Sequence, residues 1–503
     1  MQFSAFRYQY RISKEAPAPH PEAATACRAL VLDGWTLELG ADLPLAQLCR
    51  ADGTLFGLLF GIAVDGDGGL IVDSTGQSPD PRLGWDPVEH WIEGISGRFG
   101  VLLSDGTGVR FYSDACGMIG AVYDAAAGRL ASSLGLCLDR PVEDHEDYDH
   151  AAVAERGALY TLFDTRDKTA RRVNPSCYLS LDSFSETRFW PRAHSISLVN
   201  DDLSATYDWL IAHTEQVTGA IAKAHRTWLA LSGGQDSRLL LAMAGPAVQH
   251  IESSFTHVSN FVNRIDASIA GLLAEQVGVP HQVHDKRLHK PAPDGVRDDT
   301  AAFLRGLGFE MPPQREITNG LIRLLPDGAV VLRGHQTDIL RAVLADRVGP
   351  KARKRSRWQI KRLLPVPRAE FDDALHQRFH DRYETWRSAL PAFAEANSTD
   401  LMFLEIYYSS TVGCTFPAHP RVFYMSPFNG RRQIGCAMAM DETYRKSSYP
   451  VFDIIARSNP GLERLPFDFE LGPDLSKLTC ETHMQQVVEP RLTTTAQRMP
   501  AMA

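Results

Sequence analysis

The stretch Leu229-Ala230-Leu231-Ser232-Gly233-Gly234-Gln235-Asp236-Ser237-Arg238-Leu239-Leu240-Leu241 constrains this chain more than any other. An apolar run with strand character stops at Ser232-Gly233-Gly234, and a helix-favouring apolar segment starts behind Asp236 and Ser237. Strand, glycine turn and helix N-terminus together make an anion cradle. The glycines let the backbone approach a phosphate, the first helical N–H groups point at it, and the helix dipole favours its charge. No G-x-x-x-x-G-K-[ST] string occurs in the chain, so the lysine of a Walker A loop is missing. In its place stands Asp236, an anion among phosphates, which makes chemical sense if it holds a Mg²⁺ that bridges them.

Ser-Gly-Gly-x-Asp-Ser resembles the pyrophosphate-binding motif of the N-type ATP pyrophosphatases, which cut ATP into AMP and pyrophosphate to adenylate a substrate. That resemblance implies ATP and Mg²⁺ as cofactors, with Ser232, Gly233, Gly234, Asp236 and Ser237 at the phosphates. Around the motif the pattern is α/β. Residues 204–224 form an amphipathic helix, 250–256 a second parallel strand carrying Thr256, 266–278 a helix, and 279–284 a further strand. Strands alternating with helices predict a doubly wound sheet with ligand at the carboxyl ends of its strands. Thr256, at such an end, joins the nucleotide-binding candidates.

Upstream the chain reads as β-rich. Short apolar runs such as Leu55–Phe60, Gly100–Leu103, Val109–Tyr112 and Ala121–Tyr123 alternate with Asp65-Gly66, Asp67-Gly68 and Asp105-Gly106. Asp-Gly pairs between alternating runs predict hairpins in stacked antiparallel sheets. The order Gly97-Arg98-Phe99-Gly100, Ser113-Asp114-Ala115-Cys116-Gly117, Arg129-Leu130-Ala131-Ser132-Ser133 resembles the glutaminase-type domain of the asparagine synthetase family. The resemblance implies a degenerate Ntn-type α+β domain over residues 1–195, then an ATP-pyrophosphatase-like α/β synthetase domain with a helical C-terminal part over residues 196–503. Glutaminase domains of that family use an N-terminal cysteine as nucleophile. This sequence begins Met1-Gln2-Phe3-Ser4 and its first cysteine is Cys27, so no glutamine hydrolysis is expected. β-Lactam synthetases and lasso-peptide cyclases, which share that loss, take their nitrogen from an amine on the substrate.

A second motif, Val330-Val331-Leu332-Arg333-Gly334-His335-Gln336-Thr337-Asp338-Ile339-Leu340, is a strand ending in a polar turn. It resembles the Gly-Tyr-Gly-x-Asp-Ile of β-lactam and carbapenam synthetases, with Gln336 replacing the second glycine. By that match Asp338 is the second Mg²⁺ ligand. His335 takes the place of the tyrosine that deprotonates the attacking amine, and a base is chemically required because an ammonium cannot attack. Glu405, a lone carboxylate in the apolar run Leu401–Tyr408, needs a partner if buried. The resemblance pairs it with His335. It also implies that Met425–Arg432 closes the substrate pocket and that a late lysine steadies the transition state; Lys477 is the candidate, with Lys446 as its competitor. The basic stretch from Lys351 to Arg362 reads as a solvated loop or as a docking patch for an acidic substrate.

Composition adds limits. A net charge of −9 argues against a general nucleic-acid binder, and the eight cysteines include no C-x-x-C pair, which suits free thiols in a reducing compartment. With no signal-peptide pattern and no apolar run near the roughly 20 residues of a membrane span, the expectation is a cytoplasmic protein off the membrane. The function expected is an AMP-forming ligase that adenylates a carboxylate and joins it to an amine, in the manner of a lactam- or macrolactam-forming cyclase of natural-product biosynthesis. Its partners would be a small-molecule or peptide substrate bearing both groups, and proteins of a biosynthetic cluster. Open alternatives are a sugar-acid amidotransferase of surface-polysaccharide biosynthesis using free ammonia, and a non-catalytic nucleotide-binding partner.

Overall fold

The computed structural model describes residues 6–14, 28–76, 78–156, 159–259, 262–286, 288, 292–311, 321–345 and 373–471. Lys477, Cys27, the first four residues and the basic stretch 351–362 lie outside the described residues.

Two sheets build the N-terminal half. One has six strands in the order Arg171–Arg172, Val122–Asp124, Arg129–Ala131, Tyr10–Ser13, Trp35–Leu39, Arg28–Leu32, all antiparallel. The other has seven, in the order Ser185–Arg188, Cys177–Ser180, Val109–Ser113, Ser96–Ser104, Leu55–Val64, Leu45–Cys49, Ser74–Thr75. Its last pair is parallel, which makes this sheet mixed. The Asp105-Gly106 hairpin forms where Asp-Gly is placed, with Asp105 Oδ1 accepting from Thr107 N at 2.7 Å and Gly106 at a φ of +87°. The sheets stack through aromatic rings: Tyr10 of the first lies 4.5 Å from Phe60 of the second, centroid to centroid. Strands from residue 10 onward belong to this half, although residues 10–49 carry weaker alternation than the runs after residue 54.

The C-terminal half holds a parallel sheet in the order His281–Asp285, Ser253–Val258, Thr227–Ala230, Val330–Leu332, Phe423–Met425. Numbered along the chain, that order is 3-2-1-4-5, and it reverses direction between the first and fourth strands. A crevice opens at such a reversal because successive connections leave on opposite sides. Thr227–Ala230 leads into the glycine motif and Val330–Leu332 into the second motif, so both loops flank this point. Helix Leu203–Ala224 precedes the first strand, its N-terminus capped by Asp202 Oδ1 accepting from Ala205 N at 2.8 Å. Helices from Asp373 to Arg464 complete the half. The architecture is therefore α+β with antiparallel and mixed sheets, followed by an α/β parallel-sheet region and a helical C-terminal part. No helix among the described residues is long and apolar enough to cross a membrane.

The halves share one apolar core and a buried polar joint. Asn429 Nδ2 donates to Gly97 O at 2.6 Å and to Asp114 Oδ1 at 2.8 Å, and Arg431 donates to Ser113 O and Pro175 O at 2.9 and 2.7 Å. Asp114 also accepts from the backbone N–H groups of Cys116, Met118 and Ile119, so the D-x-x-G turn is a fully bonded brace. The Met425–Arg432 segment thus welds the halves together. Its Asn429 and Arg431 are bonded into the N-terminal half, and Ser426 Oγ donates to His335 O at 2.7 Å, so the segment expected to close a pocket is built as a joint between the halves.

His213 belongs to this joint. It is buried, contacts Ser96 Oγ at 3.1 Å and stacks on Trp209 at 4.9 Å. Burial, aided by the charge of Arg432, lowers its pKa to about 4. A folded pKa below the unfolded value, about 6.5, gives stability that is whole above pH 6.5 and is lost as pH falls from there toward 4. The loss attributable to His213 should reach about 3 kcal/mol by pH 4. Urea denaturation at pH 7 and pH 4.5 measures it. His213→Gln should shrink the difference between the two midpoints, and an unchanged difference refutes the assignment.

Candidate functional site

Both motif loops open into a cavity of about 820 Å³ at the carboxyl ends of the parallel strands. Ser232, Asp236, Ser237, Thr256, His335 and Asp338 all line it, so the two motifs, about a hundred positions apart, share one wall. Gly233 and Gly234 form the turn behind them. Gly234 ends the turn in extended backbone, and helix Gln235–Met243 starts there without a side-chain cap. Its first N–H groups are therefore the kind that an anion satisfies. Ser237 Oγ accepts from Ser232 N at 3.0 Å and lies 3.0 Å from Ser232 Oγ, which curls the loop on itself. Gly233 N donates to Asp266 Oδ1 at 3.1 Å, a bond that ties the loop to helix Val262–Val277. Thr256 Oγ1 donates to Leu231 O at 2.7 Å and lies 3.2 Å from His281 Nε2, so it latches the strand end while facing the cavity.

The second loop comes closer than any side chain but glycine would permit. A Cβ on Gly334 would sit 2.5 Å from the carbonyl carbon and oxygen of Asp236. Two positions on, Gln336 takes the left-handed conformation with φ +68°. Gln336 is held there by its N–H donating to Tyr408 Oη at 3.1 Å. This close approach brings Asp236 and Asp338 together, with Arg341 between them. Arg341 Nη2 lies 2.6 Å from Asp236 Oδ2 and 2.6 Å from Asp338 Oδ1, and Nε donates to Asp236 Oδ1 at 2.9 Å. Tyr408 Oη donates to Asp338 Oδ2 at 2.8 Å. Enclosure by protein and then the charge of Asp338 push the Asp236 pKa up to about 7, despite Arg341. Two carboxylates that converge on one guanidinium, one of them with its proton affinity raised by the other, are a donor set suited to a divalent cation, and the residues fit Mg²⁺.

Glu405 is not where its expected partner is. Its carboxylate accepts from Arg188 Nη1 at 2.6 Å, Arg188 Nη2 at 2.9 Å, Asn174 Nδ2 at 2.9 Å and Trp386 Nε1 at 2.8 Å. Burial alone would raise its pKa, but Arg188 outweighs that and holds it below the ordinary carboxylate value. No bond to His335 forms, so the His335–Glu405 dyad is corrected: Glu405 is a fully bonded joint to the N-terminal half. Glu405 lies in the π-helical turn Phe403–Tyr408, whose wider pitch sends Tyr408, not Glu405, into the site.

His335 does line the cavity, between Phe416 at 5.5 Å and Tyr408 at 6.3 Å, and its Nδ1 has no hydrogen-bond partner. Enclosure, and to a lesser extent the charge of Arg333, lower its pKa to about 3. It is therefore a neutral imidazole and a weak base in this state. Lys446 is taken by Glu442 at 2.8 Å and does not line the cavity.

Three residues of the site carried no motif signal. Arg341 sits one turn beyond Asp338, an Asp-x-x-Arg spacing that could have flagged an internal pair. Tyr408 is in the run that was read for its glutamate. Arg333 immediately precedes Gly334, lines the cavity, and lies 5.4 Å over the Tyr424 ring with no carboxylate within ion-pair distance among the described residues. Three histidines, His257, His335 and His419, have their pKa values lowered by burial first and by the Arg333 charge among the further causes. The cavity wall thus carries the carboxylates Asp236 and Asp338 and a further cation, Arg333.

Arg341→Met would leave the carboxylate pair without its cation. In the presence of a chelator it should lower stability by about 2 to 4 kcal/mol, the cost of an uncompensated partly buried charge. Millimolar MgCl₂ should restore part of that loss in the variant and change the parent protein less. Thermal melts with and without MgCl₂ measure it, and a variant indifferent to Mg²⁺ would contradict a cation site at the pair.

Comparison of the chain with protein-family models and with curated proteins finds no match.

Proposed function

We propose that this protein is an ATP-dependent, AMP-forming amide-bond synthetase, acting on a carboxylate and an amine that meet in the 820 Å³ cavity. The observation that carries this reading is the convergence of Asp236 and Asp338 beside the uncapped helix N-terminus of the Ser232-Gly233-Gly234 loop. Mg²⁺ held by Asp236 and Asp338 would supply charge neutralisation on the pyrophosphate as it leaves. The chain's own groups do the rest. The uncapped N–H groups at the start of helix Gln235–Met243 would donate to phosphate oxygens, and Arg341, which now pairs with both carboxylates, would pair with those phosphates should a cation take its place. Arg333, on the same cavity wall, is the donor for the substrate carboxylate. Its planar fork matches a carboxylate bidentately and would orient it for attack on the α-phosphorus. That attack forms an acyl–phosphate bond as the α–β bridge breaks, and pyrophosphate leaves.

The amine then displaces AMP and must lose a proton. His335, in the loop that carries Asp338, is a wall group with an unpaired ring nitrogen, as are His257 and His419. An imidazole held neutral by enclosure is a weak base, but the negative adenylate entering beside it raises its proton affinity. Tyr408 and Thr337 keep the second loop in place: Tyr408 bonds Asp338, and Thr337 Oγ1 donates to Gly334 O at 2.7 Å. The arginine between the metal-site carboxylates also favours a second reading, a nucleotide-binding protein that does not turn over, and the same assay separates the two.

The assay is ATP turnover and ATP–pyrophosphate exchange against a panel of carboxylic acids, amino acids and peptides. AMP and pyrophosphate, not ADP, are the expected products, and Asp236→Asn should remove exchange. Release of ADP, or exchange unaffected in that variant, overturns the assignment. Arg333→Met should raise the KM for the carboxylate by tenfold or more with the KM for ATP little changed, since one charge-assisted pair is worth about 1.5 to 3 kcal/mol. His335→Gln should leave exchange largely intact and slow amide formation by about 10² to 10⁴. Equal loss of both half-reactions would make His335 structural.

A further inference from the structure

We infer that His90, Glu93 and His194 form a Zn²⁺ site, remote from the cavity, where the chain passes from its N-terminal to its C-terminal half. His90 and Glu93 lie one turn apart on helix Trp85–Gly94, and His194 follows the last strand of the seven-stranded sheet. One donor atom from each residue lies within 4.8 Å of the others, and the two imidazole rings are 6.0 Å apart, centroid to centroid. Both histidines are exposed, whereas Glu93 is only 4% exposed.

Glu93 is the observation that needs an explanation. A buried carboxylate is costly without a partner. Among the described residues its ion-pair contact is the His194 imidazole, with Nε2 at 3.7 Å from Oε2, too long for a good hydrogen bond. Neighbouring guanidinium groups make no ion pair with Glu93 among the described residues. Arg192 pairs with Asp86 and Glu89, each at 2.6 Å, and Arg431, which acts on Glu93 through its charge alone, directs its Nη2 to the carbonyls of Ser113, Asp114 and Pro175. A buried anion left between two solvent-facing imidazoles is completed by a cation that accepts both nitrogen and oxygen ligands.

That chemistry selects the metal class. Mg²⁺ and Ca²⁺ take oxygen ligands, whereas two imidazoles and a carboxylate with a water as fourth ligand suit Zn²⁺. Zn–ligand bonds of about 2.0 to 2.2 Å require the donor atoms to close by roughly an ångström, within the reach of side-chain rotation on a surface helix. The consequence is mechanical. The residue after His194, Ser195, packs its carbonyl against Gly435, where a Cβ would meet it at 1.9 Å. An ion joining His194 to helix Trp85–Gly94 therefore fixes the connection at the point where it docks on the C-terminal half.

The test is calorimetric titration of chelator-stripped protein with ZnCl₂ alone, alongside melts with and without ZnCl₂. One equivalent should bind with a Kd of 10 μM or tighter and raise the Tm. His90→Ala and His194→Ala, both at exposed positions, should each weaken that binding tenfold or more and abolish the Tm shift. Asp236→Asn should leave it unchanged, which separates this site from the cavity carboxylates, and a tenfold excess of MgCl₂ should not compete. Binding that survives in the His90→Ala/His194→Ala double variant, binding lost in Asp236→Asn, or no binding by the parent protein at 50 μM overturns the inference.

Discussion

Two carboxylates brought to one point cannot both stay ionised without a cation, and the topology of the parallel sheet forces Asp236 and Asp338 into that position. The first and fourth strands are neighbours in register, Trp228 opposite Val331, so the loops beyond them must meet. Gly334 lets them meet at backbone distance. The rest of the C-terminal half holds the turn that carries Asp338. Arg445, fully buried, donates to Ile339 O at 2.9 Å and pairs with Asp400 at 2.7 Å, and Tyr408 bonds both Gln336 N and Asp338. Arg238, also buried, reaches from the motif helix to Leu465 O at 2.7 Å and stacks on Phe467 at 3.6 Å, which brings the segment around Phe467 against the glycine loop. Asp468 N then donates to Gly233 O at 3.2 Å.

What the sequence made legible was what local chemistry decides. The glycine turn, the strands at 228, 253, 281 and 330, and the long helix before them follow from apolar runs, Gly and a capping Asp, and they stand within a few residues of their expected places. The Asp-Gly hairpin at 105–106 is of the same kind. The strand Phe423–Met425 was not legible as a strand: three residues between turns carry no period, and only its position at the sheet edge beside Val330–Leu332 defines it. Of the strands before residue 54, Arg28–Leu32 shows no alternation because its apolar Ala29 and Val31 are exposed beside Arg28, whereas Tyr10–Ser13 and Trp35–Leu39 do alternate but over only four or five residues.

The site divides along the same line. Asp236 and Asp338 could be read because each sits in a turn whose residue types are restricted. Glu405 could not be placed, because a carboxylate in an apolar run announces that it needs a partner but not which one. The partner turned out to be Arg188, more than two hundred positions away and in the other half. Arg188, Arg98 and Arg431 each cross between the halves, from a strand to Glu405, to Tyr424 O, and from a helix to Ser113 O respectively. Long side chains with several fixed donors can bond carbonyls at irregular junctions that no regular ladder satisfies. Such joints depend on tertiary position alone, so sequence patterns carry no trace of them.

Arg341 shows how a cation can hold such a site open for another. A guanidinium cannot shed its charge at any pH the fold survives, so it offsets the repulsion between the two carboxylates and works against the rise in the Asp236 pKa. For the same reason it cannot be displaced by a divalent ion unless a new anion arrives to receive it. Under the proposed function ATP brings that anion together with the ion, and the exchange conserves charge pairing at each end. Asp236 and Asp338 trade a guanidinium for a metal, and Arg341 trades two carboxylates for phosphate oxygens. Under that reading, Arg341 makes metal and nucleotide binding mutually dependent through one side chain.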